Sequence, residues 1–329
     1  MKLLVTGGYG FIGSNFILYM LKKYGDIKII NLDLLTYAAN KENLKDVESD
    51  NRHTFIHGDI CDKNILKEIF NEHNFSAIIN FAAESHVDRS IKNPHIFVHT
   101  NILGTQVLLD FALKTNTRFI QISTDEVYGT LSDNDPPFTE NNAILPNSPY
   151  AASKASADML VRAYHNTYGL NVNITRCSNN YGPRQHKEKL IPLMISNTLR
   201  DIKLPIYGDG KNIRDWLHVY DHCRAINEVL NNGKNGDVYN IGGNNEVENI
   251  DLVKTILRKM NKPDSLINYV EDRLGHDRRY AIDNTKITKE LGFKPRYTFE
   301  EGLQYTINWY VGVWFIKHTP LFCRFCYRG

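Results

Sequence analysis

Thr124, Asp125 and Glu126 stand in a row, and Tyr150 and Lys154 follow at i, i+4 spacing. Adjacent carboxyls suit a reaction that takes one proton and gives another, with one acid held protonated and its neighbour ionised. A tyrosine, with an ordinary pKa of ~10, is a poor base at neutral pH. A nearby ammonium favours its phenolate and makes it usable. On a helix, Tyr150 and Lys154 share one face a turn apart. Such a base suits alcohol oxidation, in which a proton and a hydride leave together. Oxidation alone leaves the acid pair without a task. Loss of water needs it, because one proton must leave carbon while another goes to the departing hydroxyl.

These groups need elements to bring them together. Arg118 to Ser123 is an apolar, β-branched run that reads as a buried strand. The acid pair therefore sits at a strand's carboxyl end, where open α/β sheets bind ligands. Ala151 to Ala163 has helical composition. Upstream, a strand over Lys2–Thr6 and a helix over Ser14–Lys23 flank Gly7-Gly8-Tyr9-Gly10-Phe11-Ile12-Gly13. Glycines at 7, 8, 10 and 13 permit a tight turn and close approach of a pyrophosphate to a helix N-terminus. The next strand, Ile27–Leu32, ends at Asp33. A carboxylate about 20 residues past the last glycine binds a ribose 2′-hydroxyl and repels a 2′-phosphate, so NAD is expected over NADP.

The alternation continues through strands at Thr54–Ile56, Ala77–Phe81 and Val172–Arg176 and helices at Lys63–His73 and Ile96–Leu113. It predicts an α/β fold with a Rossmann-type doubly wound parallel sheet. The NAD-binding unit is expected over 1–179, with 214–243 folding back onto it through a strand at Val238–Gly243. Residues 180–329 form a smaller mixed α/β substrate domain, punctuated by Pro192, Pro205, Gly208 and Gly210. With 329 residues and a net charge of +2, the chain carries no electrostatic footprint for nucleic acid or membrane. No apolar run is expected to reach the roughly 20 residues of a membrane helix. The N-terminus runs at once into glycines, without a secretory signal. Five cysteines, with Cys61, Cys177 and Cys223 widely scattered, fit free thiols in a reducing cytoplasm. Cys323 and Cys326 form a C-x-x-C with only His318 near, too few ligands for zinc, so no metal is expected.

Taken together, the glycine turn, Ala82–Ser90, Ser123–Gly129, Tyr150–Lys154, Cys177–Pro183, Glu188–Pro192, Arg214-Asp215-Trp216 and Arg273–Tyr280 cover nearly the whole chain to Tyr310. On these motifs the chain resembles the extended short-chain dehydrogenases/reductases, and among them the nucleotide-sugar 4,6-dehydratases. The related sugar epimerases are similar elsewhere but lack the acid pair. The resemblance implies Thr124, Asp125, Glu126, Tyr150 and Lys154 as catalytic residues. It implies NAD held by Gly7, Gly10, Phe11, Ile12, Gly13, Asp33, Asp59, Ile60, Thr100, Tyr150, Lys154 and Asn180. It implies dTDP-glucose as substrate, held by Ser85, Asn179, Lys189, Leu190, Pro205, Tyr207, Arg214, Asn240, Arg273 and His276, and a homodimer. Cationic Lys189, Arg214 and Arg273 suit a diphosphate. The alternatives are a 4-epimerase of the same family and a non-catalytic NAD-binding regulator. Val311–Gly329 departs from the family pattern, which puts C-terminal packing in question rather than the chemistry.

Overall fold

The computed structural model describes residues 1–272 and 275–318. Arg273, Cys323 and Cys326 lie outside the described residues. The apolar runs form β1 (Lys2–Thr6), β2 (Lys28–Asp33), β3 (His53–His57), β4 (Ala77–Asn80), β5 (Arg118–Thr124) and β6 (Val172–Cys177). Later segments add β7 (Asn179–Tyr181), β8 (Leu204–Tyr207), β9 (Ile213–His218), β10 (Val238–Ile241), β11 (Glu246–Glu248), β12 (Ile267–Val270) and β13 (Arg279–Tyr280). Seven strands form one sheet in the order β10-β6-β5-β4-β1-β2-β3. Every neighbouring pair in it is parallel.

Parallel strands buried on both faces need apolar side chains on both. Alternation supplies them: Leu3, Val5 and Ile79 pack on one face with Phe16 and Ile226, and Leu4, Ile78 and Phe119 on the other with Leu108 and Val161. Each such side chain stabilises the fold by roughly 1.5–3 kcal/mol. A polar ladder crosses the sheet interior. The Thr6 hydroxyl donates to Asn80 at 2.6 Å, and the Asn80 amide donates to Gln121 at 2.9 Å. Satisfied in this way, these buried groups avoid a desolvation penalty and fix the strand register.

Chain order reverses between β1 and β4, which opens a crevice at the strand carboxyl ends. Beyond β6 the chain leaves this sheet. Ser178 separates β6 from β7, which pairs with β9; β11 and β13 flank β9 on its other contacts. Strand β8 pairs with β12 in a separate ribbon. Residues 213–218 therefore belong to the second sheet, while the helix Val219–Asn232 packs against the first helix and β10 completes the first sheet.

Three helices depart from their expected limits. The first begins at Phe11, directly after Gly10, rather than at Ser14. The catalytic-segment helix runs Pro149–Tyr168, capped by the Ser148 hydroxyl, which accepts the Ala151 N–H at 3.1 Å, and closed by Gly169 at φ +72°. The third spans Pro94–Thr115, and by length and composition it could cross a membrane, contrary to expectation. Its buried residues Phe97, Val107, Leu108, Leu109 and Ala112 pack within the protein core. A π-helical turn at Val98–Gly104 interrupts it. One extra residue per turn there re-aims the side chains, a device common at functional sites.

Candidate active site

The glycine turn shows why its residues lack side chains. Gly7 has φ +69°, and a Cβ on it would stand 2.7 Å from the backbone N of Ala82. Gly10 N–H closes the turn on the Gly7 carbonyl at 3.1 Å. The first helix then starts with its free N–H groups facing the crevice, which suits an anion. Asp33, at the end of β2, accepts the N–H groups of Tyr9 at 2.8 Å and Leu35 at 2.7 Å. Burial pushes its pKa up, and those two bonds offset the rise.

Asp125 and Glu126 belong to one tight turn. Thr124 ends β5 and caps the short helix Asp125–Tyr128, accepting the Glu126 N–H at 3.3 Å; Gly129, at φ +92°, ends it. Asp125 is 2 % exposed. Its Oδ1 accepts the Thr124 hydroxyl at 3.3 Å, and its Oδ2 has no hydrogen-bond partner among the described residues. Burial holds its pKa well above the usual carboxylate range, reinforced by the charges of Glu126 and Asp215 and opposed by Arg214. Burial thus favours the protonated form of Asp125, whereas Glu126 beside it is only half-buried.

Arg214 and Asp215 come from β9. Asp215 is fixed by accepting the N–H groups of Gly243 at 2.8 Å and Asn245 at 2.7 Å. The Arg214 guanidinium lies 4.4 Å above the Tyr280 ring and donates to the Asp277 carbonyl at 2.9 Å. The Tyr280 hydroxyl in turn bonds the Asp277 carboxylate. These long-range neighbours of the acid pair carry no signal in the linear spacing.

Tyr150 lies against the Phe97 ring and is 9 % exposed. Burial raises its pKa well above the ordinary value, the Glu126 charge adds to that, and a hydrogen bond with Thr124 works against it. Lys154 donates to the Ile122 carbonyl at 2.6 Å, and burial lowers its pKa. Here the Lys154 ammonium is held on the backbone, and burial and the Glu126 charge dominate the phenol. The helix carrying both residues is tied to β6 by a buried Arg176–Asp158 pair at 2.9 Å.

A cleft of about 290 Å³ unites most of the predicted residues. Its wall holds Gly7, Gly10, Phe11, Ile12, Gly13, Asp33, Asp59, Ile60, Thr100, Asn180, Ser85, Asn179, Lys189 and the five catalytic candidates. The π-helical turn contains Thr100, while the next residue, Asn101, bonds Glu84 and Ser153. Lys189 donates to the Ser85 carbonyl at 2.8 Å. Leu190 opens the helix that follows. Pro205 and Tyr207 lie on β8, with Tyr207 against His276, whose Nδ1 pairs with Asp272 at 2.6 Å. Asn240 is a correction: it is fully buried, and its amide is spent on the Tyr128 hydroxyl and the Phe138 carbonyl, so it ties the core together rather than lining the cleft. Tyr37, Cys177 and His186 also line the cleft and were not anticipated. The Arg89 guanidinium covers the Tyr37 ring at 3.7 Å and pairs with Glu188 at 2.8 Å, joining the rim across the two halves.

A buried carboxyl beside a half-buried one, a buried phenol and a glycine turn meet in one cleft, and the sequence matches a known family. The model of the GDP-mannose 4,6 dehydratase family matches residues 4–306. The chain belongs to that family. Within this dehydratase family, it is 50% identical to a dTDP-glucose 4,6-dehydratase of Xanthomonas campestris, over 94% of this chain and 92% of that protein. The crystal structure of DesIV, the dTDP-glucose 4,6-dehydratase of Streptomyces venezuelae, with NAD and TYD bound, aligns with TM-score 0.92 and 49% identity over 95% of this chain and 97% of that one. A UDP-glucose 4-epimerase of Thermotoga maritima shares the fold at TM-score 0.89 and 30% identity, over 95% of this chain and 100% of that chain. The family dehydratases thus stand well nearer in sequence than the epimerase does.

Proposed function

We propose that this chain is an NAD-dependent dTDP-glucose 4,6-dehydratase, converting dTDP-glucose to dTDP-4-dehydro-6-deoxyglucose. The observation that carries the reading is Asp125: buried, with burial raising its pKa and one oxygen unpartnered among the described residues, beside a more exposed Glu126. An epimerase has no step for that acid.

The residues fit a dinucleotide, since the glycine turn leaves backbone open where any Cβ on Gly7 would strike Ala82. Asp33 suits a ribose hydroxyl, and Asp59, Ile60 and Thr100 line the same end. Bound NAD supplies an acceptor that takes hydride from C4 and returns it to C6, and a positive ring whose charge favours the phenolate. Tyr150 takes the 4-hydroxyl proton, and Thr124 bonds the same oxygen. Glu126 removes the C5 proton, made acidic by the 4-ketone, as Asp125 protonates the departing 6-hydroxyl. Glu126 then returns its proton to C5. Each cycle leaves Tyr150 one proton richer and Asp125 one poorer. Thr124, which donates to Asp125 and lines the same cleft as Tyr150, offers the path by which that proton returns.

Arg214 and Lys189 supply cations for the diphosphate. Exposed Ile96, Val98, Leu103 and Met159 form an apolar face on two packed helices, which supports a homodimer; sedimentation should give twice the chain mass. Cys61, Cys177 and Cys223 are unpaired, which suits the cytoplasm. The deciding experiment incubates purified protein with dTDP-glucose, without added reductant, and follows the alkaline absorbance of the 4-keto product. Product without net NADH supports the dehydratase; conversion of UDP-glucose to UDP-galactose instead supports the epimerase.

A further inference from the structure

At the edge of the cleft, Asp59 meets two residues, Cys61 and His99, that this chemistry does not use. Asp59, Cys61 and His99 bring a carboxylate oxygen, a sulfur and an imidazole nitrogen within 4.8 Å of one another. Cys61 Sγ lies 3.6 Å from His99 Nδ1 and 3.4 Å from the His99 carbonyl. Asp59 Oδ1 accepts the Cys61 N–H at 2.8 Å. Sulfur and nitrogen ligands at ~2.3 and ~2.0 Å from a tetrahedral zinc stand about 3.5 Å apart. The observed pair needs almost no movement to match.

The packing fixes this arrangement. A Cβ on Gly104 would come 3.3 Å from Cys61 Sγ and strike the Ile60 side chain. Its absence lets the π-helical turn press against residues 60–61 and carry His99 onto Cys61. All three residues are only half-buried, and Asp59 lines the cleft, so an ion has a way in.

We propose that Asp59, Cys61 and His99 form a binding site for a zinc-class divalent cation, and that its occupation opposes dinucleotide binding. Thiolate, imidazole and carboxylate together suit zinc or cobalt, whereas magnesium and calcium prefer all-oxygen sets. On binding, the Cys61 S–H proton passes to solvent as the sulfur–metal bond forms, with no change of oxidation state. Opposition to the dinucleotide rests on the proposed role of Asp59 in holding NAD: the ion takes the carboxylate that the cofactor needs. By linkage, each ligand weakens the other by the same factor.

The test titrates Co²⁺ into full-length protein carrying Cys323→Ser and Cys326→Ser, which removes the competing C-x-x-C. Thiolate-to-cobalt charge transfer and intense tetrahedral bands report the site. Stoichiometric binding is expected, with the charge-transfer band lost in Cys61→Ser and affinity lowered at least about tenfold in His99→Gln. Saturation with NAD should weaken Co²⁺ binding about tenfold or more. Absence of the bands, or bands unchanged in Cys61→Ser, overturns the site. Intact bands with equal affinity in the presence and absence of NAD overturn the antagonism. NAD affinity measured separately in Asp59→Asn isolates the cofactor reading: a normal value there refutes the role of Asp59 while leaving the metal result standing.

Discussion

Replacing Asp125 by Asn tests the central assignment with little disturbance to the fold. The amide nearly matches the carboxyl in volume, and burial already disfavours a charge at this position, so stability should move by no more than about 1–2 kcal/mol. The chemistry should suffer far more. A positioned general acid is worth about 10²–10⁴ in rate, or roughly 3–5 kcal/mol. Asp125 belongs in the upper half of that range, because at 2 % exposure solvent has little access to replace it as donor. Tyr150, Lys154 and Glu126 remain, so oxidation at C4 and proton exchange at C5 should persist. Stopped-flow absorbance should then show NADH accumulating on the protein, and substrate recovered from D₂O should carry deuterium at C5. The pH behaviour has a definite sign. Burial raises the folded-state pKa of Asp125 above its unfolded value, with Glu126 and Asp215 adding to the rise. Its contribution to stability is full below the unfolded pKa of ~3.9 and is lost as pH rises through the folded value. The Asn variant lacks that loss, so its stability relative to wild type should improve as pH rises, as chemical denaturation will read. Wild-type elimination should likewise fall on the alkaline side as Asp125 ionises. Turnover of the variant within tenfold of wild type, without NADH accumulation, would refute the reasoning.

Glu126→Gln should also stall after oxidation, but without deuterium entering C5, which separates its role from that of Asp125 in the same two assays. Lys154→Met removes the cation from the Tyr150 face and leaves the Ile122 carbonyl without its 2.6 Å donor. Turnover should fall about 10²-fold or more with the acid limb of its pH profile moved upward, and the lost bond should cost about 1–3 kcal/mol on denaturation. Gly7→Ala forces a residue with a Cβ into φ +69° and against the Ala82 backbone at 2.7 Å. It should be purified with little bound NAD and melt at lower temperature, with about 1–3 kcal/mol lost.

Legibility from sequence follows the range of each signal. The glycine turn, the Thr124–Glu126 triplet and the Tyr150/Lys154 spacing are local patterns, and the elements that carry them form where periodicity and turn residues put them. Helix ends were less legible: Phe11 is already helical because Gly10 serves as its extended cap, which a search for apolar periodicity passes over. The π-helical turn at Val98–Gly104 has no local code, since it depends on the close packing allowed by Gly104. Asn240 shows the reverse failure. It lies at a strand end, as ligand-binding residues do, but the arrival of Tyr128 and the Phe138 carbonyl takes its amide into the core. The rim pair Arg89–Glu188 is separated by 99 residues and becomes evident only once the two halves meet.

The two halves contribute different parts of the chemistry. The first sheet brings to one cleft the glycine turn at β1, Asp33 at β2, and Tyr150 and Lys154 on the helix after β5. What dehydration requires beyond that is an acid that can give a proton to the departing hydroxyl, and β5 does not set its surroundings unaided. Asp125 follows β5 on its tight turn, but its surroundings include Arg214 and Asp215 of β9, whose charges act on it in opposite directions. Asp215 is itself held rigid by the backbone of residues 243–245. Burial raises the Asp125 pKa first and the Glu126 charge next; the Asp215 carboxylate adds to that rise and the Arg214 guanidinium opposes it. The fold of the Thermotoga maritima epimerase is nearly the same at TM-score 0.89, so the architecture alone does not decide between the two reactions.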